Sequence, residues 1–173
     1  MLLSIVVPVY NEEENIANFY KAVTDVMSGL TYDYELIFVD DGSSDSSAMI
    51  LREIAFNDKH VKVLLLARNF GHQTALTCGL DYAHGDAVIT MDGDMQHPPA
   101  LIPELVRLWE SGYDVVRTIR DSTDDASWAK SFTSKYYYKL MNKMADVPIV
   151  EGGSDFRLMN SKALGTLKRF REH

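Results

Sequence analysis

Cys78 is the only cysteine in a chain of 173 residues. A single thiol excludes an internal disulfide framework and any cysteine-rich zinc site, and it fits a reducing compartment. Proline and glycine are scarce, at 5 and 10 residues, too few for a collagen-like or low-complexity chain. No apolar stretch reaches the ~18–20 residues of a membrane span. Leu2 to Val9 is a short apolar run without the basic leader or small-residue cleavage site of a secretory signal. Positive charge is in deficit: 17 Lys/Arg stand against 25 Asp/Glu, a net −8. A protein that neutralises many phosphates is normally basic, so no nucleic-acid partner is expected. The sequence also has no Walker loop, no G-x-G-x-x-G and no recognisably spaced Ser/His/Asp set.

What is present is an ordinary globular composition, 46% hydrophobic and 24% charged. One domain is expected at this length, and it can bury about 70% of its unfolded surface without staples. The charge is uneven. Six Lys/Arg and three Asp between Arg117 and Lys143 make a local +3, which points to one anionic partner at one place.

Apolar runs alternate with amphipathic stretches. Leu3 to Val9 reads as a buried parallel strand. Asn11 to Leu30 reads as a helix with Asn11 as its cap and three glutamates at its positive end. Strands follow at Glu35–Asp40, Val61–Leu66, Asp86–Met91 and Val115–Val116. Helices are expected from the Gly42–Asp45 turn to about Phe56, from His72 to Ala83 and near Leu101–Ser111. This order predicts an α/β fold built on an open, mostly parallel sheet with helices on both faces. Such sheets bind ligands at the carboxyl ends of their strands, near the point where strand order reverses. Tyr10–Glu12, Asp40–Asp41, Arg68–Phe70, Asp92–Gln96 and Arg117–Arg120 fall there.

Asp92-Gly93-Asp94 follows the fourth strand directly. Residues two apart in an extended segment point to the same side, so both carboxylates can face one divalent cation. Magnesium and manganese take oxygen ligands, and Gln96 offers another oxygen. The same string also suits a polar turn. Asp40 and Asp41 can meet base and ribose donors, with Ser44 or Asp45 left to cap the next helix. Tyr10 suits a base pocket and ordinary packing equally. His72 and His97 read as helix-start and loop residues rather than a catalytic pair.

From Trp128 to Met144 an aromatic and apolar residue recurs every fourth position, through Phe132, Tyr136 and Leu140. Lys135, Lys139 and Lys143 form the adjacent stripe. Such a helix can lie at a lipid headgroup boundary, or pack on its own domain or in an oligomer interface. Arg117–Asp125, polar and without helical periodicity, reads as a mobile lid.

Five strings occur in order along nearly the whole chain: Val6–Glu13, Phe38–Asp45, Arg68–Gln73, Met91–Pro99 and Asp155–Met159. The ordered set resembles the family 2, GT-A-fold glycosyltransferases, in particular the polyprenyl-phosphate branch of dolichol-phosphate mannose synthases and bactoprenol glucosyltransferases. Gly93 stands where that family commonly has alanine.

By position, the resemblance implies that Pro8, Tyr10, Glu12, Asp40 and Asp41 hold the nucleotide. Asp92, Asp94 and Gln96 fall at an Mg2+ or Mn2+ ion and the diphosphate. Arg117 and Arg120 match basic positions on an acceptor loop, and Asp155 and Arg157 match a late active-site motif. The implied reaction is transfer of a hexose, with inversion, from a nucleotide-diphosphate sugar to polyprenyl phosphate, with UDP-glucose as the expected donor. The alternatives are a polysaccharide or protein acceptor, or a non-catalytic nucleotide-binding module. A phospho-receiver domain is a poor fit, because the third strand leads to Arg68-Asn69 rather than to an acceptor aspartate. The expected setting is the cytoplasmic face of the cell membrane, with residues 1–173 as the N-terminal GT-A domain of a longer, membrane-anchored protein. A homo-oligomer is left open.

Overall fold

The computed structural model describes residues 1–119 and 153–169. Strand β1 (Leu2–Val9) leads to helix α1 (Ile16–Ser28), followed by β2 (Asp33–Asp40), α2 (Ser47–Asn57), β3 (Val61–Leu65), α3 (His72–Tyr82) and β4 (Ala87–Thr90). A 3-10 turn (Pro99–Leu101) opens α4 (Ile102–Glu110). Then come β5 (Val115–Ile119), β6 (Gly153–Asn160) and α5 (Ser161–Arg169). The chain divides into two compact units, Met1–Val116 with Asp155–His173, and Arg117–Ser154. The cleft and its residues belong to the first.

The strands form one sheet in the order β3-β2-β1-β4-β6-β5. The pairs β2–β3, β1–β2 and β1–β4 are parallel. Strand β6 runs antiparallel to β4, so the sheet is mixed at this side. The sequence had marked Asp155–Met159 as a motif and assigned it no strand. Chain order reverses direction across the sheet between β1 and β4, which opens a crevice at their carboxyl ends.

Alternation along the strands sorts the core into two layers. Leu3, Ile5, Val7 and Val9 of β1 join Phe19, Val23, Leu51, Ile102 and Leu105 of α1, α2 and α4 on one face. Val6 packs on the other face with Ile37, Val39, Ala75, Leu76 and Leu80, and with Leu164 of α5. Helix α3 lies close to the sheet because of Gly79: a Cβ there would overlap the methyls of Val6 and Val39.

The first helix starts at Ile16, not at Asn11. Asn11 has a left-handed backbone, φ 54°, and its neighbours bond to a distant loop instead of to a helix. The amides of Asn11, Glu12 and Glu13 donate to Ser43 Oγ, Ser47 Oγ and Asp45 Oδ2. Helical hydrogen bonding begins only where the Glu12 carbonyl accepts the amides of Asn15 and Ile16.

At the amino ends of the strands one buried carboxylate is fully engaged. Glu35 accepts Ser4 Oγ at 2.5 Å, Lys62 Nζ at 2.6 Å and the His84 amide at 2.8 Å. Burial pushes its carboxyl upward, but Lys62, Ser4 and the His84 amide more than offset this, and the net shift is downward from 4.5. A carboxyl whose folded value is lowered stabilises the fold above the ordinary value and loses that contribution as pH falls through the lower folded value. Glu35→Gln is expected to cost about 1.5–3 kcal/mol at neutral pH, the range for hydrogen bonds to charged groups. It should also flatten the acid limb of stability. Urea unfolding from neutral to acid pH checks both, and an unchanged acid limb would remove Glu35 from the account.

Candidate active site

The loops after β1 and β2 form one interlocked platform. Besides the three amide bonds from Asn11–Glu13, the Ser44 amide donates to Asn11 Oδ1 at 2.8 Å and the Ser46 amide to Glu13 Oε2 at 2.8 Å. Ser44 therefore serves Asn11 rather than capping α2. Asp45 Oδ1 does accept the Ser47 amide at the start of that helix, at 3.0 Å.

Asp40 and Asp41 are both buried, and the structure gives them different work. The Asp41 amide continues the sheet by donating to the Val9 carbonyl at 2.8 Å. Its two carboxylate oxygens accept the amides of Phe70 and Gly71 at 2.8 and 2.9 Å. This pins the loop between β3 and α3 against the end of β2. Gly42 makes the approach feasible: it has φ +71°, and a Cβ there would overlap the Arg68 backbone. Asp40 Oδ1 accepts the Ser43 amide at 3.4 Å, a long bond inside its own loop.

A cleft of about 240 Å3 opens at this end of the sheet. Pro8 of β1 and Tyr10 and Glu12 of the loop after it line the cleft with Asp41, Asn69, Gly71, His72, Asp92 and Asp94. Six of the sequence-derived residues thus share one cavity. Asp40 and Gln96 are not among its lining. Gln96 is exposed, and its amide donates to Asp94 Oδ1 at 2.9 Å, closing a turn in which Met95 takes φ 61°.

Asp155 and Arg157 reach Asp92 through strand pairing. Thr90 of β4 lies opposite Arg157 of β6, which brings the segment after β4 alongside the start of β6. The Thr90 hydroxyl donates to the Asp155 carbonyl at 2.5 Å, and Arg157 Nη2 donates to Asp155 Oδ1. His72 Nε2 stands 3.3 Å from Asp155 Oδ2 and 3.6 Å from Asp92 Oδ1. His97 Nδ1 lies 3.8 Å from Asp92 Oδ2. Both histidines are at the site, which residue-by-residue reading missed; only their place inside the Arg68–Gln73 and Met91–Pro99 strings hinted at it.

Burial pushes the Asp92 carboxyl above its ordinary value, and Asp94 and Asp155 push the same way, against His72 and His97. Such a site favours a cation. Among the described residues no three His, Cys, Asp or Glu side chains are arranged to hold a metal ion by themselves. The donor set fits Mg2+ or Mn2+ in another way, since magnesium usually takes one or two carboxylates and completes its coordination with substrate phosphates and water. Arg117 is exposed on β5. Strand β5 takes the first three residues of the expected lid, 117–119; Arg120, the lid beyond it and the Trp128–Met144 helix lie outside the described residues.

The family model for Glycosyl transferase family 2 matches residues 4–167. The chain belongs to that family. It is 42% identical over 170 residues to an uncharacterized glycosyltransferase of Synechocystis, covering 98% of this chain and 54% of that protein. It is 41% identical over 168 residues to the bactoprenol glucosyl transferase of Shigella phage SfV, covering 97% and 55%. The chain therefore spans about half the length of the curated relatives it matches. Among solved structures, the Pyrobaculum calidifontis mannosyltransferase in complex with GDP-Man and Mn2+ superposes with a TM-score of 0.64 at 20% identity. That match covers 95% of this chain and 46% of the other, and it agrees with the GT-A fold expected from the sequence.

In this family 2 domain the Asp41 carboxylate is structural as well as cleft-lining. Asp41→Ala leaves the Phe70 and Gly71 amides without their acceptor, at a cost of about 1–3 kcal/mol. Hydrogen exchange at those two amides should speed up well beyond the general loss of stability. Unchanged protection there would mean that the loop is held by something else.

Proposed function

We propose that this chain is the donor-binding, catalytic part of an inverting glycosyltransferase that moves a hexose from a nucleotide-diphosphate sugar, with UDP-glucose as the first candidate, to polyprenyl phosphate. The observation that carries this reading is the Asp92-Gly93-Asp94 pair at the end of β4, sharing one cleft with Pro8, Tyr10, Glu12 and Asp41. Its kinship with the phage bactoprenol glucosyl transferase supports the acceptor class.

Breaking a sugar–diphosphate bond leaves negative charge on the departing nucleotide. A divalent cation, when bound, supplies Lewis-acid stabilisation of that charge. Asp92 and Asp94 are the residues that would hold it, and Tyr10, Glu12 and Asp41 line the cleft on the side of β1 and β2. A phosphomonoester acceptor carries about −1.5 to −2 charge near neutrality, so it is already an ionised nucleophile. Asp155 then has no need to act as a strong base. With one oxygen on Arg157, it orients that guanidinium, whose planar fork suits phosphate oxygens. Arg117 and Arg120 are assigned to the acceptor phosphate on the family resemblance. The reading places the work at the cytoplasmic face of a membrane. Among the described residues no helix is long and apolar enough to cross one.

Calorimetry with UDP and GDP tests the donor side. Binding should be tight with Mn2+ and weak in EDTA, because two carboxylates otherwise repel the diphosphate. Asp92→Asn should weaken the metal-dependent part and leave the melting temperature nearly unchanged. Equal affinity in EDTA would sink the metal assignment.

Transfer to undecaprenyl phosphate tests the acceptor side. Removing one member of a desolvated charge pair costs about 2–5 kcal/mol, so Arg117→Ala or Arg120→Ala should slow transfer at least ~30-fold. UDP affinity should stay constant. Weaker UDP binding in these variants would assign the arginines to the donor diphosphate, and transfer to a glycan or protein but not to the lipid phosphate would replace the acceptor.

A further inference from the structure

His72, in the Arg68–Gln73 string, lines the cleft but has no role in the proposed reaction. We propose that His72 is a positioning residue: its imidazole, set between Asp155 and Asp92, holds the Asp155–Arg157 pair in register with the Asp92–Asp94 carboxylates. The proposal deepens the glycosyltransferase reading above and rests on it.

Both ends of α3 fix where that imidazole sits. His72 is the first residue of the helix, preceded by Gly71 at φ 94°. The Gly71 amide is held by Asp41 Oδ2 and by Asn69 Oδ1, the latter at 3.0 Å, and the Phe70 amide by Asp41 Oδ1. Further along, Gly79 lets the helix lie against Val6 and Val39. The ring is thus carried on a rigid support into the cleft it lines.

The two carboxylates are not equivalent partners. Nε2 lies 3.3 Å from Asp155 Oδ2 and 3.6 Å from Asp92 Oδ1, close polar contacts rather than aligned hydrogen bonds. The ring is therefore wedged nearer Asp155 and stands as a polar spacer toward Asp92. Asp155 divides its oxygens between Arg157 Nη2 on one side and His72 on the other, and its backbone carbonyl is tied to Thr90. Without the ring, no other contact to Oδ2 is seen among the described residues, and the neighbouring Asp92 and Asp94 charges favour rotation of Asp155 away from the site. Arg157 would move with it.

The polar groups that orient residues around a metal or phosphate centre typically cost about 10–100-fold in affinity or activity when removed. His72→Ala is therefore expected to lower kcat for transfer by about 10–100-fold, with donor KM within about threefold of wild type, the pattern of a group that acts at the reacting end. His72→Gln, which can still present a side-chain N–H, should recover part of that loss. The second arm is spectroscopic and needs neither donor, acceptor nor metal. In the 173-residue chain labelled with 15N histidine, Asp155→Asn should shift the His72 Nε2 resonance more than Asp92→Asn does.

Wild-type kcat in the alanine variant overturns the proposal, as does a loss confined to KM. A His72 Nε2 resonance indifferent to Asp155→Asn overturns it as well. Because the resonance arm requires no turnover, it stands or falls separately from the choice of acceptor.

Discussion

The Asp41 carboxylate ties together everything at the working end of the sheet. Its amide extends β2 onto β1 through the Val9 carbonyl, while its two oxygens seize the Phe70 and Gly71 amides. Hydrogen bonds to an ionised acceptor are roughly twice as strong as neutral ones, and here both converge on one buried group. From that anchor the start of α3 is placed, and with it His72. Strand β2 thereby controls the distance between the cleft-lining loop after β1 and the carboxylates that follow β4 and open β6, although it contributes no side chain to the latter. Each Asp41 oxygen accepts one amide and keeps a lone pair, so a bound ligand can still be received there without freeing the loop.

The two ends of the sheet treat buried carboxylates in opposite ways. At the amino end, Glu35 is surrounded by Ser4, Lys62 and the His84 amide, and its carboxyl is lowered. At the carboxyl end, burial and two neighbouring acids raise that of Asp92. Both groups sit in the same protein at the ends of parallel strands. The difference is the partner set: a lysine and neutral donors at one end, acids and imidazoles at the other. A carboxylate satisfied by its own chain stabilises the fold, whereas one opposed by burial and neighbouring acids, in a cleft, marks a candidate functional site.

Local pattern made most of the architecture legible. The apolar runs of β1 and β2 are short, rich in Val and Ile and bounded by turn residues, which together favour a strand buried on both faces over a buried helix. The start of α1 was misplaced because Asn11, Glu12 and Glu13 bond to residues 32–35 positions away, a competition that helix propensity cannot register. Strand β6 escaped for a related reason: it pairs with β4, about 65 residues earlier, with charged Asp155 and Arg157 alternating with buried Phe156 and Leu158. The acids of the cleft were found because two chemically similar residues stood two apart after a strand. His72 was not, since its meaning depends on α3, β4 and β6 meeting at one point.

On the proposed glycosyltransferase reading, the arrangement also bears on how an acidic domain would receive anionic substrates. Two unit charges ~4 Å apart interact by about 4 kcal/mol at an effective dielectric near 20, so a bare diphosphate beside Asp92 and Asp94 meets repulsion of that order from each. On that reading the repulsion would disfavour an anion that arrives without a cation. Arg157 cannot relieve it alone, because its guanidinium is already committed to Asp155. That commitment is useful in its own right. An arginine held by a carboxylate presents its remaining N–H groups in a fixed direction and loses less freedom when a phosphate arrives. On the proposed reading, cation first, then phosphate, then a preset guanidinium is the order in which the charges of this cleft would be brought together at least cost.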